Sequence, residues 1–309
     1  MKLYIDKENL ISLIKSKDNY LFEDCQLLIR KELDVQYNFE KSEIEKNEYL
    51  LAWFQRFGDG IKGEQIFSSP ERVYPARPVK SNFYINGEGE SFNSIYLIDD
   101  EHICEVIAEK SCVLIGKIGD EVNILESLMI EKETRAISIE SWKSFCPNLP
   151  LSDVIIADTY YFKDKEKYEK NNNELIGALA NIPHNSPLNV VIITKPGNCD
   201  ERINLEEEQK RIKELVKKKT GSAKSSVTIL TSNKLHDRYL ITNYYRINHG
   251  SCFHLNDYGL KEDVRTEIKS HAVRNNEKFS AELISIYQEI ALSPVKCVGD
   301  KKSNLIRFE

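Results

Sequence analysis

No stretch of this 309-residue chain is apolar over the ~18–20 residues needed to cross a bilayer. The opening residues, MKLYIDKENL, lack the apolar core of a signal peptide. These absences lead us to expect a cytoplasmic protein with no membrane association. The seven cysteines form no C-x-x-C pair, and their number is odd. That argues against a disulfide framework and against a zinc knuckle, and is what reduced thiols look like. No segment is of low complexity and no repeat of fixed period is found. Residues 116–121 (GKIGDE) miss the G-x4-G-K-[ST] spacing of a phosphate loop, and there is neither H-E-x-x-H nor G-x-S-x-G. We therefore expect no cofactor and no metal.

What is present is an ordinary folded composition, 41% hydrophobic and 30% charged, with a net charge of −6. The length suggests two domains. The first half is acidic and the second mildly basic, −9 over residues 1–150 against +3 over 151–309. The basic half could meet phosphate, although so small an excess is also ordinary surface charge.

Three helical stripes lead the chain: Leu10, Ile11, Leu13 and Ile14; then Leu27, Leu28 and Ile29; then Leu50, Leu51, Trp53 and Phe54, ended by Gly58-Asp59-Gly60. Residues 61–92, rich in proline and glycine, read as irregular. Ile95–Ile98 and Val113–Ile115 read as short strands. A boundary is expected near Pro147–Pro150, giving a mixed helical and α/β domain over 1–150 and a second domain over 151–309. In the second, strands at 153–158, 189–194 and 227–230 alternate with helices at 163–181 and 204–219. Strands at 238–243 and 246–254 follow, then a helix over 275–291. Strand–helix alternation of this kind predicts an α/β fold, a largely parallel sheet with helices on its faces. Ligands of such sheets sit beyond the carboxyl ends of the strands.

The densest chemical signal is LHDRYLITNYYRINHGSCFH, residues 235–254. Were the segment extended, His236 and Arg238, two apart, would project to one side. A guanidinium presents a planar fork to phosphoryl oxygens, and an imidazole can attack phosphorus or shuttle a proton near neutral pH. Lys234 and Arg246 are further candidate phosphate ligands. Asp158 and Tyr160 end the first strand of this half, where a carboxylate most simply caps the strand. His249 and His254 read as turn residues, Tyr244 and Tyr245 as core, and the lysines of 204–219 as a solvated helix face. Contact with nucleic acid is the sharper reading of Tyr244, Tyr245, Arg246 and those lysines.

The spacing H-x-R-x4-N, followed by Gly250-Ser251, resembles the H-x-K-x4-D…G-S motif of the phospholipase D superfamily, and the βαβ run from Asp158-Thr159-Tyr160 onward resembles the start of its single-motif modules. The resemblance covers about residues 151–290. It implies a metal-independent site in which His236 would carry a transient phosphohistidine, Arg238 would hold the phosphate oxygens, Asn243 would stand where an aspartate orients a histidine, and Ser251 would be the serine of the glycine-serine pair. Two positions depart from the motif. Arg238 replaces lysine, which holds phosphate differently, and Asn243 cannot supply the charge that steadies an imidazolium. Active members also bring two motifs together, yet His102 and His184 lack the x-K or x-R that would make a second one. The resemblance thus implies a non-catalytic phosphate- or nucleic-acid-recognising module with a protein partner, of a kind common in bacterial phage-defence loci. The alternative is a phosphodiesterase or nuclease completed by a homodimer that sets two copies of His236 across a twofold axis.

Overall fold

The computed structural model describes residues 2–37, 39, 41–58, 94–99, 114–116, 118–129, 131–135, 141–146, 151–180, 187–250, 253, 267–272 and 277–309. It divides into two compact units, Met1–Met129 and Ile130–Glu309. Both mix helices with sheet, the α/β character read from the sequence. Among the described residues, no helix is long and apolar enough to cross a membrane.

The first unit carries a parallel four-stranded sheet in the order β2-β1-β3-β4. Its strands are β1 (Lys2–Ile5), β2 (Asp34–Tyr37), β3 (Ser94–Leu97) and β4 (Leu114–Gly116). Helices α1 (Lys7–Lys15), α2 (Phe22–Glu32), α3 (Lys41–Glu45), α4 (Glu48–Gly58) and α5 (Glu121–Ser127) complete it. The three helical stripes fall on α1, α2 and α4. Asp6 is the whole β1–α1 connection. Its carboxylate accepts the backbone N–H and the side-chain amide of Asn9, both at 2.9 Å, capping α1. Burial pushes the carboxyls of Asp6 and Glu121 above their ordinary range.

The second unit is built on an eight-stranded mixed sheet in the order β12-β8-β7-β6-β9-β10-β11-β5. β5 (Glu131–Arg135) pairs with β11 (Glu267–Ala272), so this unit begins before the expected boundary. Pro147 and Pro150 lie outside the described residues. The centre is β6 (Asp153–Ala157), β7 (Asn189–Thr194) and β8 (Ser226–Thr231), parallel and buried at every position, as strands covered on both faces must be. Helices α7 (Lys165–Leu179) and α8 (Leu205–Thr220) make the crossovers, after a short α6 (Trp142–Phe145). The ends of α8 are written into the sequence. Asn204 caps it, three glutamates fill its first turn and three lysines its last, and Gly221 closes it at φ 72°.

Beyond β6 the sheet turns antiparallel through β9 (Tyr239–Thr242), β10 (Tyr245–His249) and β11. The opposite edge is β12 (Lys296–Gly299), antiparallel to β8. Register separates the two faces. Ile155, Ile241, Arg246, His271 and Glu131 form one row across the sheet. Helix α9 (Glu277–Leu292) covers the apolar part of that face with Leu283, Tyr287 and Ile290. On the other face Trp142 lies against His249 and Phe253, with ring centroids 6.2 and 5.6 Å away. The Trp142 backbone N–H donates to Glu174 of α7. Helices therefore cover both faces of the sheet.

Asp153 opens β6 with no exposed surface. It accepts from the Asn304 backbone at 2.6 Å, the Asn304 amide at 2.7 Å and the Ser303 hydroxyl at 3.0 Å. These bonds fasten the C-terminal segment to the sheet, where Ile306 joins the α9 core.

Candidate phosphate-recognition site

β6 ends at Asp158, fully buried at the carboxyl edge of the sheet. One carboxylate oxygen accepts the Tyr160 backbone N–H and the other that of Phe253, both at 2.8 Å. Asp158 thus caps the strand, as read from the sequence. It also faces Arg238, whose Nε stands 3.8 Å from Oδ1.

Arg238 lies just before β9 rather than within it, so His236 and Arg238 are not alternate residues of a strand. Its Nη1 donates to the Gly250 carbonyl at 3.1 Å. Its guanidinium stacks over the Tyr160 ring at 5.0 Å, and Lys163 meets the same ring at 5.0 Å. Three elements therefore fix one cation: the end of β6, the turn after it and the end of β10. The Arg238 side chain keeps 22% exposure, and among the described residues Gly250 is the one acceptor its N–H groups reach. The Arg238 Nε is buried toward Asp158, which leaves the Nη2 side of the fork for a ligand oxygen.

His236 is next to this cation in the chain but exposed, with no side-chain partner among the described residues. Lys234 is exposed in the turn after β8. Asn243 is elsewhere, following β9 at its far end. Its Oδ1 accepts the Ser152 backbone N–H at 3.2 Å, across the start of β6. The position that resembles the family's aspartate therefore does not reach His236. Arg246 lies on the α9 face, the face opposite Asp158, so it does not join Arg238. It is 7% exposed, its guanidinium 4.3 Å above the Phe279 ring, and its buried Nη1 has no hydrogen-bond partner among the described residues. Burial pulls its pKa below the usual guanidinium value. Ser251 and His254 lie outside the described residues.

Other candidates are structural. His249 is buried at the end of β10 against Trp142 and Phe253, not in a turn. Tyr244 and Tyr245 are core residues. Several of the α8 cations are internally paired: Arg211 with Glu169 and Glu208, Lys213 with Asp300, Lys217 with Glu214. Among the described residues no group of histidines, cysteines or carboxylates could hold a metal ion. The sequence missed Lys163 and Gly250 as partners of the arginine site; only the aromatic Tyr160 at a strand end hinted at the stack.

No family model matches the chain, and no curated protein matches it. One solved structure that overlaps it is of TrmBL2, described as an archaeal chromatin protein with a novel mode of DNA binding. The TM-score is 0.30 at 11% identity, over 87% of this chain and 81% of that one. A likeness at this level carries no inference about fold or activity.

Proposed function

We propose that the second unit is a phospholipase D-like module that recognises phosphate, on nucleic acid, without cleaving it on its own. One observation carries the reading: among the described residues the cation is held and the nucleophile is not. Arg238 is fixed by Asp158, Tyr160 and Gly250 with part of its fork open. His236 is exposed and unheld, and Asn243 is turned to Ser152 at the other end of β9. A general base or nucleophile works when a neighbour fixes its orientation and protonation; a phosphate ligand needs only a placed cation with free N–H groups.

The same exposure of His236 supports a second reading. A surface histidine beside a phosphate-holding arginine can meet its twofold mate in a homodimer, making a metal-independent phosphodiesterase.

The test is purified protein with labelled single-stranded DNA, duplex DNA and RNA in EDTA, with cleavage and gel shift scored on the same samples. Wild type is run beside His236→Ala and Arg238→Ala. A shift without cleavage that weakens with salt, is lost in Arg238→Ala and survives in His236→Ala is the expected result. EDTA-resistant cleavage lost in His236→Ala would replace it with the dimeric enzyme. Neither shift nor cleavage would end both nucleic-acid readings and direct attention to a protein partner.

A further inference from the structure

We infer that a cavity beside the arginine site takes an uncharged nucleobase, so that the unit reads a base next to a phosphate; this rests on the phosphate reading above. The cavity, about 530 Å³, opens at the carboxyl ends of β7 and β8 and is lined by Pro196, Ile203, Leu205, Thr231 and Val295. Its volume lies within the range of small-molecule sites, and its position is where open α/β sheets bind ligands.

Charge selects the ligand class. The cations at the rim are already neutralised: Arg202 holds both oxygens of Asp200 at 3.0 and 2.7 Å, and Lys296 meets Glu206 at 2.7 Å. The N-terminus of α8 is likewise occupied, because Asn204 accepts from the Glu206 and Glu207 backbones. An anion would have to displace these carboxylates and would face Glu201 and Glu206 on the same lining. A neutral ligand faces neither cost. On the same lining the Thr231 hydroxyl is buried, its residue 2% exposed, without a hydrogen-bond partner among the described residues. A buried hydroxyl left unpaired is costly, and a ligand amide, carbonyl or ring nitrogen would satisfy it. Pro196, Ile203, Leu205 and Val295 supply apolar walls for the body of a heterocycle.

The cavity is also tied to the arginine site. Asn198 donates to the Thr159 carbonyl at 3.0 Å, and the Asp200 N–H to the Phe162 carbonyl at 2.8 Å. The loop that lines the cavity is thus fastened to the loop that carries Tyr160 and Lys163. Thr231 of β8 and Arg238 at the start of β9 are three strand spacings apart, and at ~4.8 Å each this sets cavity and guanidinium roughly 14 Å apart along one edge. A single strand lying along that edge reaches both.

The experiment uses free nucleosides, which carry no phosphate, and the full chain. Saturation-transfer NMR with adenosine, guanosine, cytidine and uridine is run on wild type and on Val295→Trp, Thr231→Val and Arg238→Ala. Val295 is a surface residue, so a tryptophan there fills the mouth without touching the core. The expected result is transfer to at least one nucleoside, abolished in Val295→Trp, weakened about 3–10-fold in Thr231→Val by the loss of one hydrogen bond, and unchanged in Arg238→Ala. Absence of transfer at millimolar nucleoside, or transfer unaffected by Val295→Trp, overturns the assignment. Gel shift of an oligonucleotide, lost in Arg238→Ala, reports separately on the phosphate reading, so the two can fail independently.

Discussion

Among the described residues Arg246 is a buried cation in no ion pair, with only one carboxylate, the more distant Glu131, acting on it, and replacing it should make the protein more stable. The side chain is 7% exposed, and its Nη1 is buried with no acceptor among the described residues. Taking a guanidinium out of water costs several kcal/mol. Against that stands one cation–π contact with Phe279, centroid at 4.3 Å, worth about 0.5–2 kcal/mol. In its row, Ile241 is apolar and His271 offers nothing anionic; Glu131 lies one strand further out. Methionine would keep the long stem on Phe279 and discard the charge. Arg246→Met should therefore gain about 1–3 kcal/mol, a Tm increase of roughly 3–10 °C for a unit of this size. Arg246→Lys keeps the charge and should gain nothing. Differential scanning calorimetry of the three proteins in a buffer without multivalent anions decides. A Tm lowered by more than a few degrees in Arg246→Met would refute the reasoning, since it would mean that the charge is compensated. Repeating the scans with phosphate at constant ionic strength asks whether an anion is the missing partner. Phosphate should then raise the wild type more than Arg246→Met, by mass action, because the Arg238 site is common to both.

Asp153→Ala leaves three strong donors on Ser303 and Asn304 without their acceptor. It should cost about 2–4 kcal/mol and expose Lys301, Lys302 and Arg307 to trypsin, read by mass spectrometry of limited digests; an unchanged digestion rate would show that Ile306 and the Gln288–Arg307 and Lys301–Thr228 bonds suffice to hold the tail. Burial pushes the Asp153 carboxyl above its ordinary value of 3.8. The folded state therefore binds this proton more tightly than the unfolded chain, and the stability so gained is full below 3.8 and is lost as pH rises through the raised folded value. Urea midpoints taken from pH 4 to 7 should thus fall more steeply for wild type than for Asp153→Asn, and parallel curves would contradict this sign. Burial also pushes the Cys25 thiol up to about 11 and the Cys146 thiol up to about 12. Neither should be alkylated in the native protein at pH 8, whereas the half-buried Cys199 and Cys297 should be; peptide mapping after brief iodoacetamide treatment reads this, and early labelling of Cys146 would show that the α6 region opens.

The centre of the second unit was legible because its signals are local. Asn189–Thr194 is an unbroken apolar run stopped by Pro196, and Asn204 and Gly221 bracket a charge-graded helix; the structure places those elements within a residue of the reading. The strands that were not anticipated are the ones whose pattern is weak. β5 (EKETR) and β11 (EIKSHA) are half-solvated antiparallel strands of charged residues, and their pairing partner is more than 130 residues away. β1 is only four residues long and could not be told from the helix it precedes. At the site, Arg238 and Asp158 are legible in the sequence but their pairing is not, because it depends on β9 running antiparallel beside β6. Residue spacing alone had grouped Arg238 with Arg246, and only the strand register separates them onto opposite faces.

That register also bears on what the carboxyl edge can do. The parallel strands β6, β7 and β8 all end there, and so must the turns that follow them. The edge therefore collects Asp158, Thr194 and Thr231 from strand ends and Tyr160, Lys163 and Arg202 from turns. β9 starts at the same edge because it runs against β6, which delivers Arg238 beside Asp158. An extended segment before β9 would have carried His236 into the sheet with it. Instead β9 begins at Tyr239, one residue after the arginine, and His236 is left in the preceding loop. The start of one strand thus separates a fixed arginine from a histidine that no described residue holds. Among the described residues of this unit none holds His236, so on the reading proposed above cleavage would need a further contact to orient it, which a second copy could supply.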